Sequence, residues 1–132
     1  MVKDPKICEP ARANFVNNNE DYICIANGEK GKDTCYGDSG GPVYSRSQDE
    51  KYNLLLGLTS YGETTSNKKS DIYRPLCAVS DTFGFYTRVG YYIDFIAALT
   101  NNKRDYYTID QTKSTRGILN RYNSAESAII IM

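Results

Sequence analysis

The sequence predicts an all-β fold, in which a small antiparallel β domain is closed by one helix near the carboxyl end. Short runs of β-branched and aromatic residues alternate with turns rich in glycine and polar residues, which is typical of antiparallel sheets. One helix-like segment follows the last of these runs. The length of 132 residues and the hydrophobic content of 40% suit a single globular domain.

Four runs have the composition of strands, at residues 22–25, 42–44, 52–61 and 83–89. The third is the strongest, because it contains the string LLLGLT. Residues 27–41 are rich in glycine and predict irregular backbone, and residues 62–74 predict a long polar loop. The strands are therefore joined by turns and loops.

Residues 91–99 differ in character and predict an amphipathic helix. Tyr92, Ile93, Phe95, Ile96 and Leu99 lie three and four residues apart, so we expect them to share one face. Residues 101–132 then form a polar tail of unknown structure, which ends in the isoleucine run 129–131. We expect this end to be frayed, with a docking strand as the alternative.

Composition and charge exclude several classes of partner. The chain carries 16 basic and 16 acidic side chains, so nothing favours nucleic-acid binding, which needs a basic face. No apolar run is long enough to span a membrane, and the first residues lack the apolar core of a signal peptide. We therefore expect no nucleic-acid partner, no membrane partner and no cofactor.

The four cysteines favour disulfides over a metal site. Cys8, Cys24, Cys35 and Cys77 show no CxxC spacing, and the chain has no histidine to complete a zinc site. Disulfides imply an oxidising compartment, and three pairings are open on the sequence alone. Free thiols in a cytosolic protein are the alternative.

The string CYGDSGGP at residues 35–42 is the motif that carries chemistry. Glycines around Ser39 allow a tight turn and a close approach by a substrate carbonyl group. The N–H groups of Gly37 and Ser39 could then point at one oxyanion site. A glycine-rich turn with an idle serine is the simplest alternative.

A second alternative, the nucleophile elbow of an α/β-hydrolase, fails. That motif needs a preceding strand, a following helix and a later histidine. Here a polar loop precedes Ser39, a β run follows it, and the chain contains no histidine. Because histidine is the usual base for a serine nucleophile, any hydrolase must obtain its base from elsewhere.

The motif resembles the chymotrypsin–trypsin family of serine proteases (peptidase S1). GDSGGP at 37–42 is accompanied by ICIA at 23–26, GLTSYG at 57–62 and GFYTRV at 84–89, in the family's order. The resemblance covers residues 8 to about 99. It implies that residues 1–100 form the second of two six-stranded antiparallel barrels, closed by a carboxy-terminal helix. The catalytic histidine and aspartate would come from the amino-terminal barrel, a partner upstream of Met1.

The resemblance also implies roles for the residues of the serine motif. Ser39 matches the nucleophile, and the N–H groups of Gly37 and Ser39 match the oxyanion hole. Asp38 matches the aspartate that pairs with the amino terminus freed by zymogen cleavage; an aspartate that caps a turn is the alternative.

The specificity pocket follows in the same way. Asp33, with Thr34 beside it, matches the floor of the primary pocket, which implies cleavage after Arg or Lys through a charge-assisted pair. An ordinary loop aspartate is the alternative. Gly62 and Gly84 match the pocket walls. The segment Ser60, Tyr61 and Gly62 matches the edge that pairs with substrate backbone.

The resemblance further implies the disulfides Cys8–Cys24 and Cys35–Cys77 and a secreted, extracellular protein. It implies a trypsin-like serine endopeptidase that acts on protein or peptide substrates, represented here by a partial chain that is inactive alone because it lacks a histidine. A catalytically inactive, protease-like binding protein is the alternative. Tyr61 replaces a common tryptophan, Phe83 replaces a common proline or tyrosine, and residues 62–77 are longer than in trypsin. Selectivity beyond the first substrate residue therefore stays open.

Overall fold

The described residues form five strands and one α-helix. The computed structural model describes residues 5–26, 33–46, 53–65, 77–78, 82–108 and 129–131. The elements are β1 (Tyr22–Ala26), β2 (Pro42–Arg46), β3 (Asn53–Thr64), β4 (Thr82–Arg88), α1 (Ile93–Leu99) and β5 (Ile129–Ile131), with 3-10 turns at Pro5–Cys8, Val89–Tyr92 and Arg104–Tyr106. The antiparallel, mostly β architecture with one helix after the fourth strand is as predicted.

The sheet has the order β1-β4-β3-β2, and β5 pairs with residues Asn53–Leu55 of β3, on the edge opposite β2. All pairings are antiparallel. Strand β3 continues to Thr64, beyond its predicted end at residue 61, because Gly62, Glu63 and Thr64 pair with β4. The start of the predicted polar loop is therefore held in the sheet by backbone hydrogen bonds.

The predicted six-stranded barrel is not confirmed. In the described part of the chain, β1 pairs only with β4, and β2 does not pair beyond β3, so the sheet is open. A barrel closes only when every strand has a neighbour on both sides. Strand β5 does not provide this closure, because it pairs with β3 and does not join β1 to β2.

The main core lies where β1 and β4 meet the segment before β1. Its buried members are aromatic or disulfide-bonded, namely Cys8, Phe15, Cys24, Phe83 and Phe85. Phe85 is fully buried, and the Phe15 ring meets it edge to face at 5.8 Å between centroids. Burial of such rings stabilises the fold by about 1.5–3 kcal/mol each, so this cluster fixes β4 at the centre of the sheet.

Helix α1 buries only part of the predicted face, because Ile93 and Ile96 pack on the core and the other members are exposed. Ile93 and Ala97 are buried, whereas Phe95 and Leu99 are 63% and 71% exposed. The 3-10 turn at Val89–Tyr92 sets where α1 begins, and a side chain four residues after Ile93 lies on the same face. In the described residues, no helix is both long and apolar enough to cross a membrane.

The described parts of the segment after α1 contact the rest of the domain. Tyr107 packs against the second core cluster, which contains Val89 and Ile93, and its hydroxyl donates to Thr100 Oγ1 at 2.6 Å. The expected frayed end is wrong for Ile129–Ile131, which pair with Asn53–Leu55 of β3. The unpaired backbone groups of a strand edge explain why a short apolar segment docks there. Residues 109–128 lie outside the described chain.

Candidate active site

Ser39 lies at the exposed apex of a loop that two tight turns hold in shape. Gly37 and Gly40 have φ values of +97° and +81°, in the left-handed region that favours glycine. The Asp38 carboxylate accepts from the Cys35 N–H at 2.8 Å, and the Asp38 carbonyl accepts from the Gly41 N–H at 2.8 Å. These bonds close the backbone on both sides of Ser39 and leave its side chain outside.

The loop is anchored to the middle of β3. Gly40 N–H donates to the Thr59 carbonyl at 2.9 Å, and Thr59 N–H donates to the Gly41 carbonyl at 2.8 Å. Thr59 Oγ1 adds a third bond to the same carbonyl at 3.1 Å. Among the described residues, neither Gly37 N–H nor Ser39 N–H has a backbone acceptor, so both can serve a ligand oxygen.

A cavity of about 220 Å³ lies beside Ser39. Six of the residues predicted for the site line it, namely Asp33, Thr34, Ser39, Ser60, Tyr61 and Gly62. The remaining lining residues are Cys35, Tyr36, Thr59, Glu63, Cys77 and Thr82. The fold therefore brings the candidate nucleophile and the candidate specificity residues to one space, although they come from separate segments. Gly37, Asp38 and Gly84 lie outside the lining.

Asp33 is half-buried in this cavity and is held by neutral donors. Its Oδ1 accepts from Thr34 N–H at 2.9 Å, and its Oδ2 accepts from Thr82 Oγ1 at 2.9 Å and from Ala78 N–H at 3.4 Å. In the described part of the chain, no cation pairs with this carboxylate. Neutral donors therefore orient this carboxylate within the described part of the site.

Tyr86 supports the pocket from behind. Its hydroxyl lies 3.1 Å from Thr34 Oγ1. Burial raises the pKa of Tyr86; the hydrogen bond with Thr34 opposes this increase, and the charges of Asp33 and Asp38 add to it. A Cβ placed on Gly84 would lie 2.6 Å from the Tyr86 hydroxyl oxygen. Gly84 is therefore the position that lets the Tyr86 ring lie across β4.

Two disulfides have the pairing that the resemblance implied. Cys8 is bonded to Cys24 in the core, and Cys35 is bonded to Cys77 at the cavity. The second joins the serine loop to the segment that precedes β4, and so holds the two sides of the cavity together. Both bonds are consistent with an oxidising compartment.

Ser60 is the extra residue of a β-bulge. Thr59 pairs with Tyr86 and Tyr61 with Phe85, so Ser60 has no opposite residue in β4. Bulges bend a strand and redirect its side chains, and they are common beside functional sites. The Tyr61 ring beyond the bulge stacks on Phe85, with centroids 4.9 Å apart.

Comparison with known proteins identifies the family. The family model described as trypsin matches residues 4–96. This chain belongs to the trypsin family. Its sequence is 36% identical over 83 residues to ovochymase from Halocynthia roretzi, 35% over 96 residues to CLIP domain-containing serine protease B4 from Anopheles gambiae, and 38% over 77 residues to tryptase from Mus musculus.

These alignments cover 63%, 72% and 58% of this chain, but only 4%, 23% and 22% of the respective relatives. The chain therefore spans less than a quarter of the length of each of these trypsin-family proteins. The match shows membership of a serine protease family. The activity of the complete protein is a separate question.

Sequence reasoning missed three residues near this trypsin-family site. Thr82 bonds to Asp33 although 49 positions separate them, and Tyr86 bonds to Thr34 across 52 positions. Arg12, in the segment before β1, packs on the Tyr22 ring. Tyr86 lay within a recognisable motif, but Thr82 and Arg12 had no sequence signal, because only the folded chain brings them to their partners.

Proposed function

We propose that this chain is part of a trypsin-like serine endopeptidase that hydrolyses peptide bonds after Arg or Lys. The observation that carries the proposal is that Ser39 and the carboxylate of Asp33 line one cavity. An exposed serine beside a slot with an anionic floor suits a long cationic substrate residue followed by the bond to be cut. Membership of the trypsin family supports the reaction class.

In this proposal Ser39 Oγ attacks the substrate carbonyl carbon and forms a tetrahedral intermediate. The N–H groups of Gly37 and Ser39 donate to the developing oxyanion, and Gly37 reaches the needed backbone conformation at a φ of +97°. A base from outside this chain takes the proton of the Ser39 hydroxyl and passes it to the leaving amine, and water then releases the acyl group from Ser39. Asp38, which holds the loop through Cys35 N–H, would also pair with a freed amino terminus.

The base in this mechanism comes from outside the chain, which contains no histidine. We propose that an amino-terminal part of the same protein supplies the histidine and its aspartate, completes the barrel by pairing with the open edges of β1 and β2, and closes the site. The two disulfides support secretion of the complete protein.

The test uses the complete protein in its activated form and a peptide library. We expect cleavage after Arg and Lys, and loss of all cleavage in Ser39→Ala. Asp33→Ser should lower kcat/KM for Arg and Lys peptides more than about tenfold, because a desolvated charge-assisted pair contributes roughly 1.5–3 kcal/mol. It should leave Ser39 reactive toward a small phosphonate probe.

Two results would contradict parts of this proposal separately. Unchanged preference for Arg and Lys in Asp33→Ser would show that Asp33 is an ordinary loop residue. A complete protein that neither cleaves peptides nor reacts with the phosphonate would instead be a protease-like binding protein.

A further inference from the structure

Arg12 is a positioned cation with unused hydrogen-bonding capacity. Its Cζ atom lies 4.2 Å from the centroid of the Tyr22 ring, in the range of a cation–π contact. Its Nη2 atom is 4.0 Å from Asp21 Oδ2, beyond hydrogen-bond distance, and its Nη1 atom is buried with no hydrogen-bond partner in the described part of the chain. A guanidinium offers five donors, and the Arg12 side chain is 28% exposed, so its exposed edge can still donate to a carboxylate.

Arg12 also reaches the edge segment that lines the cavity. Burial raises the pKa of Tyr61, and the positive charge of Arg12 and a hydrogen bond from it oppose this increase. Tyr22, which carries Arg12 on its ring, meets the Tyr61 ring edge to face at 5.7 Å between centroids. Arg12, Tyr22 and Tyr61 thus form one cluster, which we call the Arg12 cluster, and it adjoins the cavity through Tyr61.

Strand geometry determines which substrate side chains would meet this cluster. Residues that lie opposite each other in an antiparallel pair project to the same face, and successive residues alternate between faces. If the first residue before the cut bond enters the cavity beside Ser60, the second lies opposite Tyr61. The second and the fourth residues then share the face of Tyr61, and the first and third project elsewhere.

We propose that Arg12 is a specificity-determining residue that binds an Asp or Glu side chain of the substrate, at the second or fourth position before the cut bond. This inference rests on the proposed protease function, because it takes Ser60–Gly62 as the substrate-binding edge. The exposed edge of the guanidinium would donate a charge-assisted hydrogen bond to the carboxylate, and its contact with Tyr22 orients it in advance. Asp33 and Arg12 together would select substrates with an acidic residue shortly before a basic one.

The experiment compares peptides that share Arg before the cut bond and differ only at the second or fourth position. For the complete protease, kcat/KM should be about fivefold higher with Asp or Glu than with Asn or Gln at the favoured position, the size expected for a partly exposed pair. Arg12→Gln should remove this preference, so that the acidic and the neutral peptides are cleaved with equal kcat/KM. Arg12→Lys should keep part of it, and about 0.5 M salt should weaken it.

Three results would overturn the inference, and the second of them does not depend on catalysis. Equal cleavage of acidic and neutral peptides by the unaltered protease would do so directly. If nothing is cleaved, the proposed function fails. The inference about Arg12 is then tested by the affinity of the acidic and neutral peptides for Ser39→Ala, and equal affinity for both peptides would overturn it. A fall in melting temperature in Arg12→Gln without any change in peptide preference would assign Arg12 to an internal ion pair.

Discussion

Asp33 is a carboxylate whose orientation is set by neutral hydrogen-bond donors. Three donors, the Thr34 and Ala78 N–H groups and the Thr82 hydroxyl, share its carboxylate. Thr82 is only 5% exposed, so its hydroxyl has little access to water and its bond to Asp33 lies in a region of low dielectric. These donors fix the orientation of the negative charge without neutralising it.

At this scale we predict that Thr82→Val destabilises the chain although the two side chains have nearly the same volume. The Asp33 Oδ2 atom loses its 2.9 Å donor, and leaving a half-buried carboxylate oxygen short of a partner costs about 1–3 kcal/mol. Thr82→Ser keeps the hydroxyl and should lose less. Urea denaturation measures both variants.

A double-mutant cycle supplies the control for Thr82. In an Asp33→Ser background the Thr82→Val change should cost clearly less, because its charged acceptor has gone. An equal cost in both backgrounds would mean that the Thr82 hydroxyl stabilises the chain through some other contact.

At the scale of elements, the site depends on the register between β3 and β4. The bulge at Ser60 shifts Tyr61 opposite Phe85, and the serine loop is bonded to β3 one residue earlier, at Thr59. Strand β3 therefore positions both the serine loop and several lining residues of the cavity. A register shift would separate them, and the buried Phe85 ring under Tyr61 opposes such a shift.

Helix α1 provides a matched pair of variants for this scale. Ile93→Ala should lower the free energy of unfolding by about 2–4 kcal/mol, because Ile93 is 1% exposed and its removal leaves a cavity under the helix. Phe95→Ala removes a larger side chain from the same helix but should change stability by less than about 0.5 kcal/mol, since that ring is 63% exposed. Thermal unfolding of both variants measures the difference, and a larger loss in Phe95→Ala would contradict the observed helix face.

The elements also show how far the sequence could predict the fold. The four main strands and the helix were visible, because strand composition and helical spacing are local signals. The residues that α1 buries were not visible in the sequence. Tyr92, Phe95 and Leu99 have the same spacing as Ile93, and docking on the sheet determines which of them are covered. The pairing of Ile129 with Leu55 was hidden for the same reason, because it joins distant segments.

The features of the candidate site that depend on local sequence could also be predicted, whereas those that depend on distant contacts could not. The serine loop could be predicted, because glycine at positions 37 and 40 is needed locally for positive φ. The donors to Asp33 and the neighbours of Tyr61 could not, because Thr82 and Arg12 have ordinary sequence surroundings and acquire partners only through the sheet.

At the scale of the whole molecule, the proposed site is incomplete within this chain. In the proposed function, the chain supplies the nucleophile, the oxyanion donors and the pocket, and other residues supply the base, since the chain contains no histidine. A serine hydroxyl without an adjacent base is a weak nucleophile. The chain can therefore contain the pocket and still lack peptide-bond hydrolysis.

We accordingly predict that the 132-residue chain folds with its two disulfides but does not turn over substrate. Its rate on an Arg ester should fall at least about 10⁴-fold below that of the complete protease, since catalytic groups that act as a unit lose most of their effect when one is missing. The measurement is active-site titration with a serine-directed phosphonate, with peptide mapping under non-reducing conditions to verify Cys8–Cys24 and Cys35–Cys77 in the same sample. Correct disulfides with negligible labelling would match the prediction, because the chain would then be folded while Ser39 lacks a base. Rapid stoichiometric labelling of Ser39 in a correctly bonded chain would show that Ser39 is activated by a group within these 132 residues.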